Sequence, residues 1–289
     1  MKDKNLIDET NEPLIETSVE VEDNKKNKWL AAIMSSVFGL ALILIAFILG
    51  DKMAPFLVYF LDIAGAIVLF IGVGFFYSIF KKEGKKLSVK QMTLVGIMSS
   101  ISVILYYFIK TPLPFFPPWL DIQVSEIPAL IAGFAYGPYA GVLVIFVRFI
   151  IKLPATITVG VGELADLILS ATLVLISSII YSKNRTIKGA LTGTIIGVIT
   201  CTILSIFVNW FILIPAYINI AHFPLPALAN MLNGEVQKLL DITITPDNFM
   251  FYYLLIGVLP FNFIRYVIVA VLTFLLYKRT HLILKRLAK

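Results

Sequence analysis

A chain of 289 residues with 59% hydrophobic and only 15% charged side chains has more apolar surface than a water-soluble core can hide, and its mean hydropathy is +0.91. The single cysteine, Cys201, excludes a disulfide framework within the chain, and two histidines, His222 and His281, are too few and too far apart for a metal cluster. With a net charge of only +6, the composition defines a polytopic membrane protein in which no metal, redox centre or other cofactor is expected.

Residues 1–28 are polar, with eight acids followed by the basic run "KKNK" at Lys25–Lys28, and read as a disordered cytoplasmic tail. Apolar segments follow at about 29–49, 55–80, 89–109, 127–152, 162–182, 188–217 and 251–277, each long enough to cross the hydrocarbon core as a helix. The first is too long for the apolar stretch of a signal peptide, and no A-x-A site follows Gly50, so it reads as a retained helix. The fourth is interrupted by "AYGPYAG", where Gly137-Pro138 predicts a turn between two short helices. Counting that break gives eight spans. If the tail is cytoplasmic, the inner segments 1–28, 81–90, 183–188 and 278–289 hold five, five, three and five basic residues. The outer segments hold only Lys52, Lys110, Lys152 and Lys238, a bias that predicts both termini in the cytoplasm. Two long connections, 110–126 and 218–250, then fall outside; the second is too long for a simple turn.

An ionisable side chain inside the bilayer is expensive and marks function by default. Those residues are Asp62, Arg148, Glu163, Asp166 and Arg265, with Asn209 and Asn262 as polar partners. In "LPFNFIRY", Asn262, Arg265 and Tyr266 are spaced to share one face of the last helix, and in "GVGELAD" Glu163 and Asp166 share another, both toward the outer half. Each also has a structural reading. Arg148 with Glu163 or Asp166 is either an internal ion pair or a ligand contact, and Asn209 is either an interhelical hydrogen bond or a ligand contact. Asp62 has no evident partner. Nothing else in the last helix neutralises Arg265, which favours a ligand role for Asn262 and Arg265. No G-x-x-x-x-G-K-[ST], H-E-x-x-H or G-x-S-x-G run occurs, so no constellation calls for an enzyme.

Five stretches occur in an order that resembles one family: "QMTLVGIMSSISVILYYF", "SEIPALIAGFAYGPYAGVLV", "GVGELADLIL", "VNWFILIPAY" and "ITITPDNFMFYYLLIGVLPFNFIRYVIVAVL". They are similar to the substrate-binding S components of energy-coupling factor (ECF) transporters. The last stretch, with a strand-like entry, "LPFN" and a basic residue three on, resembles the riboflavin-specific type. The resemblance covers about residues 88–280.

The resemblance implies an all-α membrane protein with a six-helix S-component core at 88–289, preceded by two extra transmembrane helices within 29–87 that have no counterpart in the family. It implies a multi-pass protein of a bacterial cell membrane that captures riboflavin from outside, as transported ligand rather than cofactor. The chain would be the specificity subunit, with a transmembrane coupling subunit and two ATPases as partners on separate chains, and no nucleic acid. An asparagine amide can donate to and accept from the flavin's uracil-like edge, and an arginine can donate to its oxygens. The substrate-binding residues so implied are Asn262, Arg265, Glu163, Asp166, Asn209, Gln123 and Trp119, Gln123 standing where the family often has an aspartate. Phe115, Phe116, Trp210 and Tyr217 join Trp119 as aromatics that can wall the ring, although interface anchoring is their usual role. Gly96 and Ser100 stand where the family carries an A-x-x-x-A docking surface, so small residues are kept there. The alternatives are an S component for thiamine or folate, and a membrane protein with no transport role.

Overall fold

A computed structural model describes residues 87–113, 116, 120–156, 160–219, 222–240 and 242–287, together with 27–39, 41–43 and isolated positions from 45 to 71. Asp62, Phe115, Trp119 and the tail up to residue 26 lie outside the described residues, as does most of the second predicted span. The chain divides into two units, Met1–Ala46 with Phe60–Lys86, and Phe47–Tyr59 with Leu87–Lys289. The described part of the first is chiefly the apolar helix Asn27–Ile43.

The second unit is helical. Its first helix, α1 (Val89–Phe108), is started by a reciprocal cap in which Ser88 Oγ accepts from Gln91 N–H and Gln91 Oε1 accepts from Ser88 N–H. A short antiparallel ribbon follows, β1 (Lys110–Pro112) against β2 (Asp121–Gln123), in register Thr111 to Ile122. Next come α2 (Ile127–Tyr136) and α3 (Pro138–Lys152), the latter running into the 3-10 turn Leu153–Ala155. The predicted break is a reversal: Gly137 has φ 98°, a left-handed conformation that glycine adopts without the penalty a Cβ brings. A ten-residue helix rises about 15 Å, half the hydrocarbon thickness, so α2 is the short arm of a hairpin rather than a full span. The hairpin returns the chain, and Ser125 at the start of α2 meets Arg148 near the end of α3 at 2.5 Å.

Helices α4 (Val161–Lys183) and α5 (Ile187–Val208) complete the centre of the bundle. A Cβ on Gly193 of α5 would lie 2.7 Å from the Ser177 carbonyl of α4, which shows how closely their backbones approach. The π-helical turn Asn209–Leu213 then leads into α6 (Ile214–Asn219). After α7 (Leu225–Leu240) and α8 (Phe249–Tyr252), a second π turn, Tyr253–Val258, leads into α9 (Leu259–Leu287). Both π turns end two residues before a proline, Pro215 and Pro260. A proline ring crowds the carbonyl four residues back and lacks an N–H, and a locally wider turn absorbs that misfit without ending the helix.

The long connection 218–250 is not a bare loop, since α7 lies within it and buries Leu228, Ala229 and Leu232. Its "ITIT" segment, expected to be strand-like, is irregular over Ile242–Thr245, held instead by Asn233 Oδ1 accepting from Ile244 N–H and Asn248 Oδ1 accepting from Thr245 N–H. Among the described residues five helices are long and apolar enough to cross a membrane: Val89–Phe108, Pro138–Ala155, Val161–Lys183, Ile187–Asn219 and Phe249–Tyr277.

A charge-balanced candidate binding site

The helix ends at one pole of the second unit converge on a single carboxylate. Asp166, one turn into α4, accepts from Arg148 Nη2 at 2.9 Å and Lys152 Nζ at 2.7 Å on α3, and from Arg265 Nη2 on α9 at 2.8 Å. Gln123 Nε2 on β2 donates to the same carboxylate at 2.9 Å. Arg265 is shared with Glu126, which also accepts from Ser170 Oγ at 3.1 Å. Ser125 links these groups to α1, because its Oγ receives Arg148 and its carbonyl receives Ser102 Oγ at 2.5 Å. Glu126, Arg148, Lys152 and Arg265 are all buried. Buried charges survive only when they are paired and hydrogen-bonded, and here each cation meets a carboxylate.

The cluster floors a cavity of about 360 Å³. Its polar lining includes Gln123, Lys152, Glu163, Asp166, Asn209, Asn262 and Arg265, and its walls include Tyr106, Leu213, Tyr217 and Phe261. Lys152 Nζ sits over the Tyr106 ring at 3.8 Å from its centroid, so the wall from α1 also covers a floor cation. Glu163 is held by Thr156 Oγ1 at 2.7 Å, and Thr156 also accepts from Gly160 N–H at the start of α4. Eight described charged side chains line or brace this space: Lys110, Arg148, Lys152 and Arg265 against Asp121, Glu126, Glu163 and Asp166. Four of each sign leave no net charge.

Six of the seven substrate-site residues expected from the sequence, Asn262, Arg265, Glu163, Asp166, Asn209 and Gln123, therefore line one cavity; Trp119 lies outside the described residues. Arg148 proves to be an internal ion pair with Asp166 rather than a cavity-lining group. Of the aromatics, Tyr217 lines the cavity, and Phe116 packs on Phe261 at 5.6 Å between centroids without lining it. Trp210 is turned outward, 49% exposed and stacked on Phe211, so it does not wall the site. Lys152, counted from the sequence with the outer segment, is buried at 3% exposure because Asp166 faces it across the α3–α4 junction. The charge of Arg265, unmatched within the last helix, is neutralised by Glu126 just ahead of α2 and by Asp166 on α4, so the lack of a local partner no longer argues for a ligand role. Glu126 was missed because it sits in a connection by sequence, although an acid directly ahead of an apolar run and a proline was a visible signal. Gly96 and Ser100 lie on α1, whose membrane-length window is only 17% buried; a Cβ on Gly96 would meet nothing within 4 Å, and Ser100 is exposed.

A helical membrane protein with a polar, charge-balanced cavity closed by several helix ends is built to bind a small molecule. Residues 90–277 match the ECF transporter, substrate-specific component, and the chain belongs to that family. The chain is 31% identical over 198 residues to the riboflavin transporter RibU of Staphylococcus aureus (strain TCH60), covering 68% of this chain and 94% of that protein. It is 27% identical over 194 residues to the riboflavin transporter FmnP of Bacillus subtilis (strain 168), covering 66% and 92%. Among solved structures, the S component of a bacterial ECF transporter superposes with a TM-score of 0.52 at 29% identity, covering 68% of this chain and 98% of that one. The chain is thus a multi-pass cell-membrane protein and a binding subunit of a transporter, not an enzyme.

Proposed function

We propose that this chain binds riboflavin from the outer face and serves as the substrate-specificity subunit for its uptake. The observation that carries the reading is the balance of charge around the cavity. Thiamine is a cation and would be favoured by a net negative site, whereas folate is an anion and would be favoured by a net positive one. Riboflavin is neutral, with a flat ring and a hydrogen-bonding edge, which suits amides at Asn209, Asn262 and Gln123 within surroundings whose formal charges balance. The names of the two relatives point the same way. Purified from riboflavin-containing medium, the protein is expected to carry flavin absorbance near one ligand per chain. Detectable binding of thiamine or folate with none of riboflavin would overturn the reading.

The finer assignments belong with it. Substrate contact is assigned to Asn262, Arg265, Glu163, Asp166, Asn209 and Gln123, and to Trp119 from the sequence. The six-helix core is placed at 88–289 after a two-helix extension within 29–87, with both termini cytoplasmic, as the distribution of lysine and arginine supports. Transport requires a transmembrane coupling subunit and two ATPases on other chains. Gly96 and Ser100 form the docking face for the coupling subunit, because small residues on an unpacked helix let a second helix approach closely. Gly96→Leu and Ser100→Leu, made separately, are expected to leave riboflavin binding intact and to reduce uptake in cells. Equal loss of binding and uptake would remove this face from the docking surface.

A further inference from the structure

Tyr253 is absent from the cavity lining, yet it is fully buried and its ring stacks on Phe249 with 5.2 Å between centroids. Its hydroxyl donates to Asn209 Oδ1 at 2.9 Å. Asn209 in turn donates one amide N–H to the Ser205 carbonyl at 2.8 Å. A carbonyl can only accept, so it fixes which end of the amide is nitrogen, and the tyrosine hydroxyl then occupies the oxygen. With its oxygen engaged by Tyr253, the group that Asn209 keeps wholly unengaged is its second N–H. Asn262 is arranged in the opposite sense, since its nitrogen donates to the Val258 carbonyl at 2.9 Å and its oxygen meets no protein donor among the described residues. The two amides thus offer the same cavity a donor and an acceptor.

We propose that Tyr253 is a positioning residue: by donating to the Asn209 oxygen it biases an amide that can read either polarity toward donating, so that Asn209 recognises an acceptor on the ligand, such as a ring carbonyl. The proline-induced π turns supply the geometry, because Asn209 and Tyr253 are the first residues of the two turns and each helix is locally widened where they meet. An all-α continuation would place different residues at this crossing. A hydroxyl held in a packed, stacked ring is a rigid donor, which keeps the amide from swinging to meet its own needs when the cavity is empty.

The inference rests on the riboflavin reading, and a double-mutant cycle separates the two. Riboflavin would be titrated by quenching of flavin fluorescence into the wild type, Tyr253→Phe, Asn209→Ala and the double variant, with melting of each ligand-free protein recorded alongside. Tyr253→Phe keeps the ring and is expected to weaken binding about 2- to 12-fold, the range for one hydrogen bond. In the Asn209→Ala background the same change is expected to have no effect on affinity, since there is no amide left to orient. Equal weakening in both backgrounds would make Tyr253 a packing residue and overturn the proposal, as would unchanged affinity in Tyr253→Phe or in Asn209→Ala. If Asn209→Ala does not fold, Asn209→Ser closes the cycle with the same criterion. Absence of riboflavin binding by the wild type would instead sink the functional reading, and this inference with it.

Discussion

Asp166→Asn is expected to destabilise the ligand-free protein by about 3–5 kcal/mol, the cost of leaving buried charge without its partner. The substitution is nearly isosteric, so it opens no cavity and the loss is electrostatic. Asp166 receives Arg148, Lys152 and Arg265 at once, and removing its charge would leave three buried cations facing Glu126 alone on this side of the cluster. The side-chain amide also brings donors to where only donors already point. A marked fall in melting temperature in detergent is the expected reading. Adding Lys152→Met removes one cation along with the anion and should recover part of the loss. An Asp166→Asn protein that melts like the wild type would show that the cluster contributes little to holding α3, α4 and α9 together.

The second large effect is expected at Asn262. Asn262→Leu replaces the acceptor offered to the cavity with an apolar branch of similar size, so a ligand donor would be buried without a partner. The expected cost is about 1–3 kcal/mol, or roughly 5- to 150-fold in affinity. Folding and membrane insertion should be kept, because leucine is well tolerated in a span. The neighbouring Arg265→Met should behave differently. Arg265 bridges Glu126 and Asp166, so its removal strands two carboxylates and should appear first as a lower melting temperature of the empty protein. Fluorescence titration beside melting of the ligand-free form separates the two. Unchanged affinity in Asn262→Leu would take this helix face out of the binding site.

Much of the fold could be read from local pattern. Hydropathy located the five long helices, and Gly137-Pro138 announced the α2–α3 reversal because a positive φ and a helix start are encoded by those two residues alone. The helical spacing of Asn262 with Arg265, and of Glu163 with Asp166, placed four cavity-lining residues correctly on two faces. What could not be read is pairing across distance. Arg265 and Glu126 are 139 positions apart, and no periodicity within either segment points to the other. Lys152 looked like a loop residue because its inward turn depends on Asp166 in the next helix. The π turns were also hidden: a proline such as Pro215 or Pro260 disturbs a helix, but whether the chain kinks, stops or widens is decided by the packing around Asn209 and Tyr253. Trp210 illustrates the opposite error, since an aromatic near the membrane boundary is as well suited to lipid headgroups as to a ligand.

The equal number of positive and negative side chains around the cavity has a consequence for energetics in a living cell. A charge that moves through the whole electric field of a polarised membrane exchanges about 2.3 kcal/mol with each 100 mV. A site whose formal charges cancel, occupied by a neutral ligand, exchanges almost none when it moves as a whole along the field. For the neutral ligand proposed above, the resting voltage then neither pulls it in nor holds it back.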